Sequence, residues 1–260
     1  MSLLQITGLT IHFDSILALD KLSFGVERGQ IVGLIGPNGA GKTTVFNCIT
    51  RVYQPSSGSI RFGDCELLRL RPYQLITQGV ARTFQNLALF ESMTVLENLL
   101  VGQHSLMRYN LWQALFRTPQ TVRSEWAGRQ RADEMLRVLG LTEWRNREVR
   151  TLPYGLKKQI ELARALVAQP QLLLLDEPAA GLPHEEIEAL ASSILRLRDE
   201  LGLTILLVEH HMGLVMRVSD RVCVLNFGRK LAEGTPAEVQ HNPAVIEAYL
   251  GEEESDVTAH

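Results

Sequence analysis

Gly36-Pro37-Asn38-Gly39-Ala40-Gly41-Lys42-Thr43-Thr44 holds the residue types and spacing of a loop that wraps a phosphate, G-x-x-x-x-G-K-[ST]. Glycines let the chain close tightly enough for successive backbone N–H groups to point inward. Lys42 would bring a point charge to the β- and γ-phosphates of a nucleotide, and Thr43 a hydroxyl ligand for Mg²⁺. This chemistry requires a strand before the loop and a helix after it. The apolar run Ile31-Val32-Gly33-Leu34-Ile35 reads as a buried strand. Residues 42–50 read as a helix whose positive dipole end faces the loop. The bland alternative is a glycine-rich turn beside a buried strand.

A second constellation lies at Leu172-Leu173-Leu174-Leu175-Asp176-Glu177-Pro178. A buried strand ends in two adjacent carboxylates, and proline ends the element. Successive strand residues point to different sides. Asp176 can therefore face a Mg²⁺ shell while Glu177 faces an attacking water, one holding the metal and the other polarising the nucleophile. Alone, such a pair is an acidic exit from a strand. Beside a phosphate loop it predicts hydrolysis of a nucleoside triphosphate.

The elements that must hold these groups alternate between strand and helix. Residues 3–13 and 17–26 read as two strands around the turn Asp14-Ser15, and Ser59–Phe62 as a third after Pro55-Ser56-Ser57-Gly58. From Val95 to Lys158 apolar residues recur at helical spacing, as at Ala132, Met135, Leu136 and Leu139, with no clear strand pattern. A helix is predicted from Glu185 to Leu201, with Ile187, Leu190, Ala191, Ile194 and Leu201 on one face and Glu185 and Glu186 in its first turn. Then come a strand at Thr204–Val208, a helix near Met212–Val218, strands at Arg221–Asn226 and Arg229–Glu233, and short helices at 236–241 and 243–250. The alternation implies a largely parallel sheet with a helical excursion in the middle.

Composition narrows the class further. The 260 residues suit one large α/β domain, or a domain with a subdomain. A formal net charge of −3 leaves no electrostatic footprint for nucleic acid. Cys48, Cys65 and Cys223 are odd in number and far apart, which predicts small core residues in a reducing compartment. The first residues, Met1-Ser2-Leu3-Leu4-Gln5, lack the charged and apolar regions of a secretory leader. No apolar run approaches the length of about 18 residues that a membrane span needs. If the protein acts at a membrane, another chain must do the spanning.

These motifs resemble those of the ATP-binding cassette (ABC) family, in the family's order and over residues 3–250. Gly36–Thr44 matches its Walker A motif, and Leu172–Glu177 its Walker B motif with the catalytic glutamate. Arg82-Thr83-Phe84-Gln85 is similar to the Q-loop, and Val208-Glu209-His210 to the switch-histidine segment. Ala81–Gln85, Met93–Leu99, Asp176–Leu182, Asn242–Gly251 and a long insert from Gln103 to Arg131 resemble the branched-chain amino acid importers within that family.

The resemblance implies a P-loop NTPase fold: a RecA-like α/β core over residues 1–85 and 159–235, with an antiparallel β portion. It also implies a helical subdomain over 86–158 and short C-terminal helices over 236–250. The acidic tail at 251–260 is expected to be mobile and solvated. ATP would lie on Gly36, Asn38, Gly39, Ala40, Gly41, Lys42, Thr43 and Thr44, with Phe13 stacking on adenine. Thr43, Gln85 and Asp176 would hold Mg²⁺, Glu177 would activate water, and His210 rather than its neighbour His211 would contact the γ-phosphate.

The resemblance further implies a head-to-tail pair formed with a second copy or a related ATPase subunit. It implies polytopic permease subunits, an indirectly coupled solute-binding protein, no nucleic acid, and a place on the cytoplasmic face of the inner membrane. A soluble ABC-type switch acting on a protein or nucleic acid is the alternative. Such chains often carry two cassettes or a long coiled-coil insert, and neither is present in the sequence.

Two family motifs are altered. The signature Leu-Ser-Gly-Gly-Gln is here Leu152-Pro153-Tyr154-Gly155-Leu156. In the family this loop closes on the partner's nucleotide, so Tyr154 and Gly155 would face the partner's ATP. Pro153 brings neither a hydroxyl nor an N–H. Lys157 and Lys158 oppose the helix dipole there, and are expected to be solvated. Pro183 likewise replaces a polar residue in the D-loop, Ala180-Gly181-Leu182-Pro183.

Overall fold

The computed structural model describes residues 2–83, 88–103 and 118–249. They fall into two compact units, one of 1–75 with 174–260 and the other of 76–173.

The first unit opens with a hairpin, β1 (Ser2–Phe13) and β2 (Ile16–Glu27), turning at Asp14. With β4 (Ser57–Phe62) and β5 (Cys65–Glu66) it makes an antiparallel sheet of order β2-β1-β4-β5. In β1 the buried residues change parity, from Leu4 and Ile6 to Leu9 and Ile11. The β1–β2 register slips between Ile6 and Leu9. One extra residue at a bulge moves the following side chains to the opposite face, so the bulge keeps all four in the core.

The second sheet of this unit comprises β3 (Ile31–Ile35), β7 (Leu172–Asp176), β8 (Thr204–Val208), β9 (Arg221–Asn226) and β10 (Arg229–Gly234), in the order β10-β9-β3-β8-β7. β3 runs parallel to both β8 and β9, while β10 closes the edge antiparallel to β9. Every residue of β3, β7 and β8 is buried. Parallel strands covered on both faces read as continuous apolar runs, which is why these three were visible without alternation. Around them lie α1 (Lys42–Ile49), α2 (Leu75–Gln78, which straddles the division between units), α6 (His184–Leu201), α7 (Met212–Val218), α8 (Pro236–Gln240) and α9 (243–249). On α6, Ile187, Ala191, Ile194 and Leu197 are buried. Leu201, expected on that face, is exposed. It is the last helical residue and lies beyond the core that Leu197 reaches. Cys48 and Cys223 are buried free thiols, pushed up to about 11 and about 12 by burial, while Cys65 is half-buried. Desolvation makes the first two inert core residues.

Among its described residues the second unit holds a short strand, β6 (Val80–Arg82), and the helices α3 (Val95–Gly102), α4 (Pro119–Val138) and α5 (Tyr154–Leu166). The Gly79 carbonyl, just before β6, accepts from the N–H groups of Gln171 and Leu172. β6 was not predicted, because three residues are too few for a period. Thr94 and Glu97 form a capping box at the start of α3. Asn98, wholly buried on that helix, bonds both the N–H and the carbonyl of Phe90 and the carbonyl of Thr94. Its amide thereby ties the segment at 88–94 to α3.

Candidate active site

The loop Gly36–Thr44 is shaped by what surrounds it. At Gly36 φ is +150°, and a Cβ there would lie 2.1 Å from the Leu225 carbonyl oxygen. Gly41 caps α1 with φ +101°, and a Cβ would meet Ala18 O at 2.9 Å and Leu19 Cδ2 at 2.8 Å. No other residue fits either place. The Gly228 N–H donates to the Ala40 carbonyl, and the Asp20 N–H to the Gly228 carbonyl, so the β9–β10 turn and β2 support the loop from outside. Lys42 is 5% exposed, and its Nζ donates to the carbonyls of Gly36 (2.6 Å) and Pro37 (2.8 Å). The amine therefore sits within the loop. α1 starts with no side-chain cap and no acidic residue in its first turn. A buried cation at an uncapped helix N-terminus is an environment suited to a phosphate chain.

Three strand ends meet beside it. β3 and β8 finish in register, with Leu34 paired to Val208, and the Glu177 N–H donates to the Val208 carbonyl (2.9 Å). The ends leading to Gly36, to Glu177 and to His210 are thus gathered at the carboxyl edge of an α/β sheet, where such folds bind their ligands. Asp176, the last residue of β7, is buried. Glu177 has φ +47°, the left-handed region, which costs an L-residue on the order of 1–2 kcal/mol. The resulting turn aims Glu177 Oε1 at His210 Nε2, 2.9 Å away.

The two histidines are separated by their partners. His211 Nδ1 accepts from the Leu214 N–H and caps α7. His210 carries its ring to Glu177 instead. Sequence reasoning passed over Glu209, between Val208 and His210. It is 3% exposed, and its carboxylate accepts from the N–H groups of Ala179 (2.6 Å), His210 (2.9 Å) and His211 (3.1 Å). The signal was available: an acidic residue directly after a fully apolar strand must find partners at the strand exit.

The other expected residues stand as follows. Phe13 is 38% exposed at the end of β1, with Tyr53 edge-on at 4.9 Å between ring centroids. Tyr53 was not anticipated. Gln85 lies outside the described residues, as do Phe84, residues 104–117 of the 103–131 insert and the tail at 251–260. In the second unit, Pro153 is the N-cap of α5, with its carbonyl accepting from the Lys157 N–H, and Tyr154 and Gly155 begin the helix. Tyr154 is exposed. The two lysines are not simply solvated. Lys157 pairs with Glu91 at 2.9 Å, and Lys158 Nζ lies over the Tyr154 ring, 5.8 Å from its centroid. An opposing carboxylate and an aromatic face offset the unfavourable helix dipole that each lysine meets. Pro183 is the N-cap of α6.

The chain is similar to known proteins over nearly its whole length. The high-affinity branched-chain amino acid transport ATP-binding protein BraF of Pseudomonas aeruginosa is 47% identical over 96% of this chain and 98% of its own length. LivG of Escherichia coli, described in the same words, is 47% identical over the same shares. The crystal structure of the ADP conformation of an ATP-binding cassette of an ABC transporter superposes with a TM-score of 0.84 at 31% identity, covering 97% of this chain and 100% of that one. A nucleotide-free cassette gives 0.83 at 30%, covering 96% of this chain and 99% of that one. A family described as branched-chain amino acid ATP-binding cassette transporter matches residues 229–255, and one described as ABC transporter matches residues 19–180. The chain belongs to the ABC transporter family, as an ATP-binding cassette subunit.

Proposed function

We propose that this chain hydrolyses ATP to drive uptake of branched-chain or related amino acids. It works with a second copy or a related ATPase subunit, against polytopic permease subunits at the cytoplasmic face of the inner membrane. A solute-binding protein delivers the amino acid to the permease. The names of the relatives support the solute, and no described helix is long and apolar enough to cross a membrane. The observation that carries the chemistry is the contact of Glu177 with His210 at the strand ends beside the phosphate loop.

In this reading Gly36 and Asn38–Thr44 cradle the triphosphate, and Phe13 stacks on adenine. The Lys42 amine and the N–H groups opening α1 carry the charge that develops on the γ-phosphate. Mg²⁺ would be held by Thr43, Asp176 and Gln85, and supplies charge neutralisation at the phosphate oxygens. Glu177 takes the proton of the attacking water. A carboxylate can only accept, so His210 donates from Nε2, holding Glu177 in place on the side of the γ-phosphate. The test is uptake of labelled leucine into vesicles holding this chain with the permease subunits that co-purify with it. ATP-dependent uptake that vanishes without this chain is expected. Uptake of urea, amides or aromatic acids but not leucine would remove the solute assignment. Failure to co-purify with any polytopic membrane protein would favour the soluble switch.

Tyr154 and Gly155 are assigned to the partner's ATP. Pro153→Ser should then add one hydrogen bond to a charged phosphate, worth about 1.5–3 kcal/mol, and a serine N-cap to α5. The expected result is a tighter ATP-bound dimer, seen by sizing over a concentration series in the Glu177→Gln background, with unchanged monomer affinity for ATP. An unchanged or weaker dimer would mean that the Tyr154-Gly155 backbone already closes the site without a hydroxyl.

A further inference from the structure

We infer that Glu209 is a positioning residue for hydrolysis, clamping the turn that carries Glu177 to the segment that carries His210. The inference rests on the roles just proposed for those two residues. The hydrogen bonds of Glu209 go to backbone N–H groups. One carboxylate oxygen takes the Ala179 N–H, two residues beyond Glu177, and the other takes the N–H groups of His210 and His211. The two peptide segments approach from different strands, β7 and β8, which are neighbours in the sheet, and the Glu177 N–H also donates to the Val208 carbonyl.

The clamp answers a specific need. Glu177 is held at φ +47°, a conformation its own backbone disfavours. His210 is half-exposed, so burial alone does not set its ring. A separation of 2.9 Å between Glu177 and His210 survives only if both backbones are fixed from behind. Glu209 does this from a buried position with three charge-assisted bonds, the stronger class of hydrogen bond. The carboxylate is required rather than an amide. A glutamine at this place has a single acceptor oxygen, so its NH₂ must face either the Ala179 N–H or the two histidine N–H groups.

The experiment is a double-mutant cycle in the intact chain, read by single-turnover ATP hydrolysis alongside ATP affinity and thermal unfolding. Glu209→Gln should slow hydrolysis about 10-fold or more, with ATP affinity within about 2-fold of the parent. In the Glu177→Gln background the same change should have little further effect, because there is no longer a base to position. Losses that multiply in the cycle would mark Glu209 as merely structural and overturn the inference. So would normal hydrolysis by Glu209→Gln. If Glu177→Gln alone hydrolyses ATP normally, the underlying assignment fails instead, and the two failures are distinct. Should Glu209→Gln not fold, Glu209→Asp keeps both acceptor oxygens on a shorter arm. It is expected to lose rate without losing ATP affinity, and a full rate would overturn the clamp.

Discussion

Glu177→Gln is expected to bind ATP normally and to hydrolyse it roughly 10²-fold more slowly or worse, the usual scale for loss of a general base. The geometry makes this substitution clean. The side chain is largely enclosed, its N–H is held by the Val208 carbonyl, and the amide keeps the shape of the carboxylate. The amide oxygen can still accept from His210, so the contact at 2.9 Å need not break. What disappears is the capacity to take a proton from water. Phosphate release and nucleotide affinity, measured on the same preparation, separate the two effects. ATP-dependent dimers should accumulate, since closure no longer leads to hydrolysis. Near-normal turnover would move the base elsewhere, with His210 as the next candidate.

Lys42→Ala is expected to weaken ATP affinity by about 10²-fold, the equivalent of about 3 kcal/mol for a hydrogen bond to a charged group. The amine is buried inside the loop on the carbonyls of Gly36 and Pro37, and no other lysine or arginine lies within the phosphate-loop motif. Alanine also removes those two loop contacts, which loosens the loop itself. Thermal unfolding of the ATP-free protein distinguishes the causes. A loss of affinity with an unchanged midpoint assigns the effect to the missing charge. Unchanged ATP affinity would overturn the assignment of Gly36–Thr44 as the phosphate cradle.

Much of this was legible in order along the chain. The phosphate loop depends on contiguous residues, and its glycines are dictated by local φ and by backbone close behind them. The strands at 31–35, 172–176 and 204–208 could be read as apolar runs, since both faces of the sheet are covered. Asp176 and Glu177 announced themselves by following such a run. Leu201 marks a limit of periodicity. It lies on the correct face of α6, but helical phase does not say where the core ends.

Tertiary structure alone decided which groups meet. Residues 177 and 210 are separated by 33 positions, and only the adjacency of β7 and β8 brings Glu177 to His210. The resemblance favoured His210 over His211, although both follow the same strand. In the fold a helix start uses the His211 ring as its cap, and the His210 ring meets the carboxylate. Lys157 and Lys158 looked solvated because Glu91 is 66 residues from the first, and because the ring of Tyr154 serves the second only on a formed helix. Glu209 is the clearest case. In sequence it is an acidic residue beside a histidine, whereas in the fold it gathers three N–H groups from two segments. A buried carboxylate is defined by its partners, and those partners are supplied by strand order, which local residue patterns do not encode.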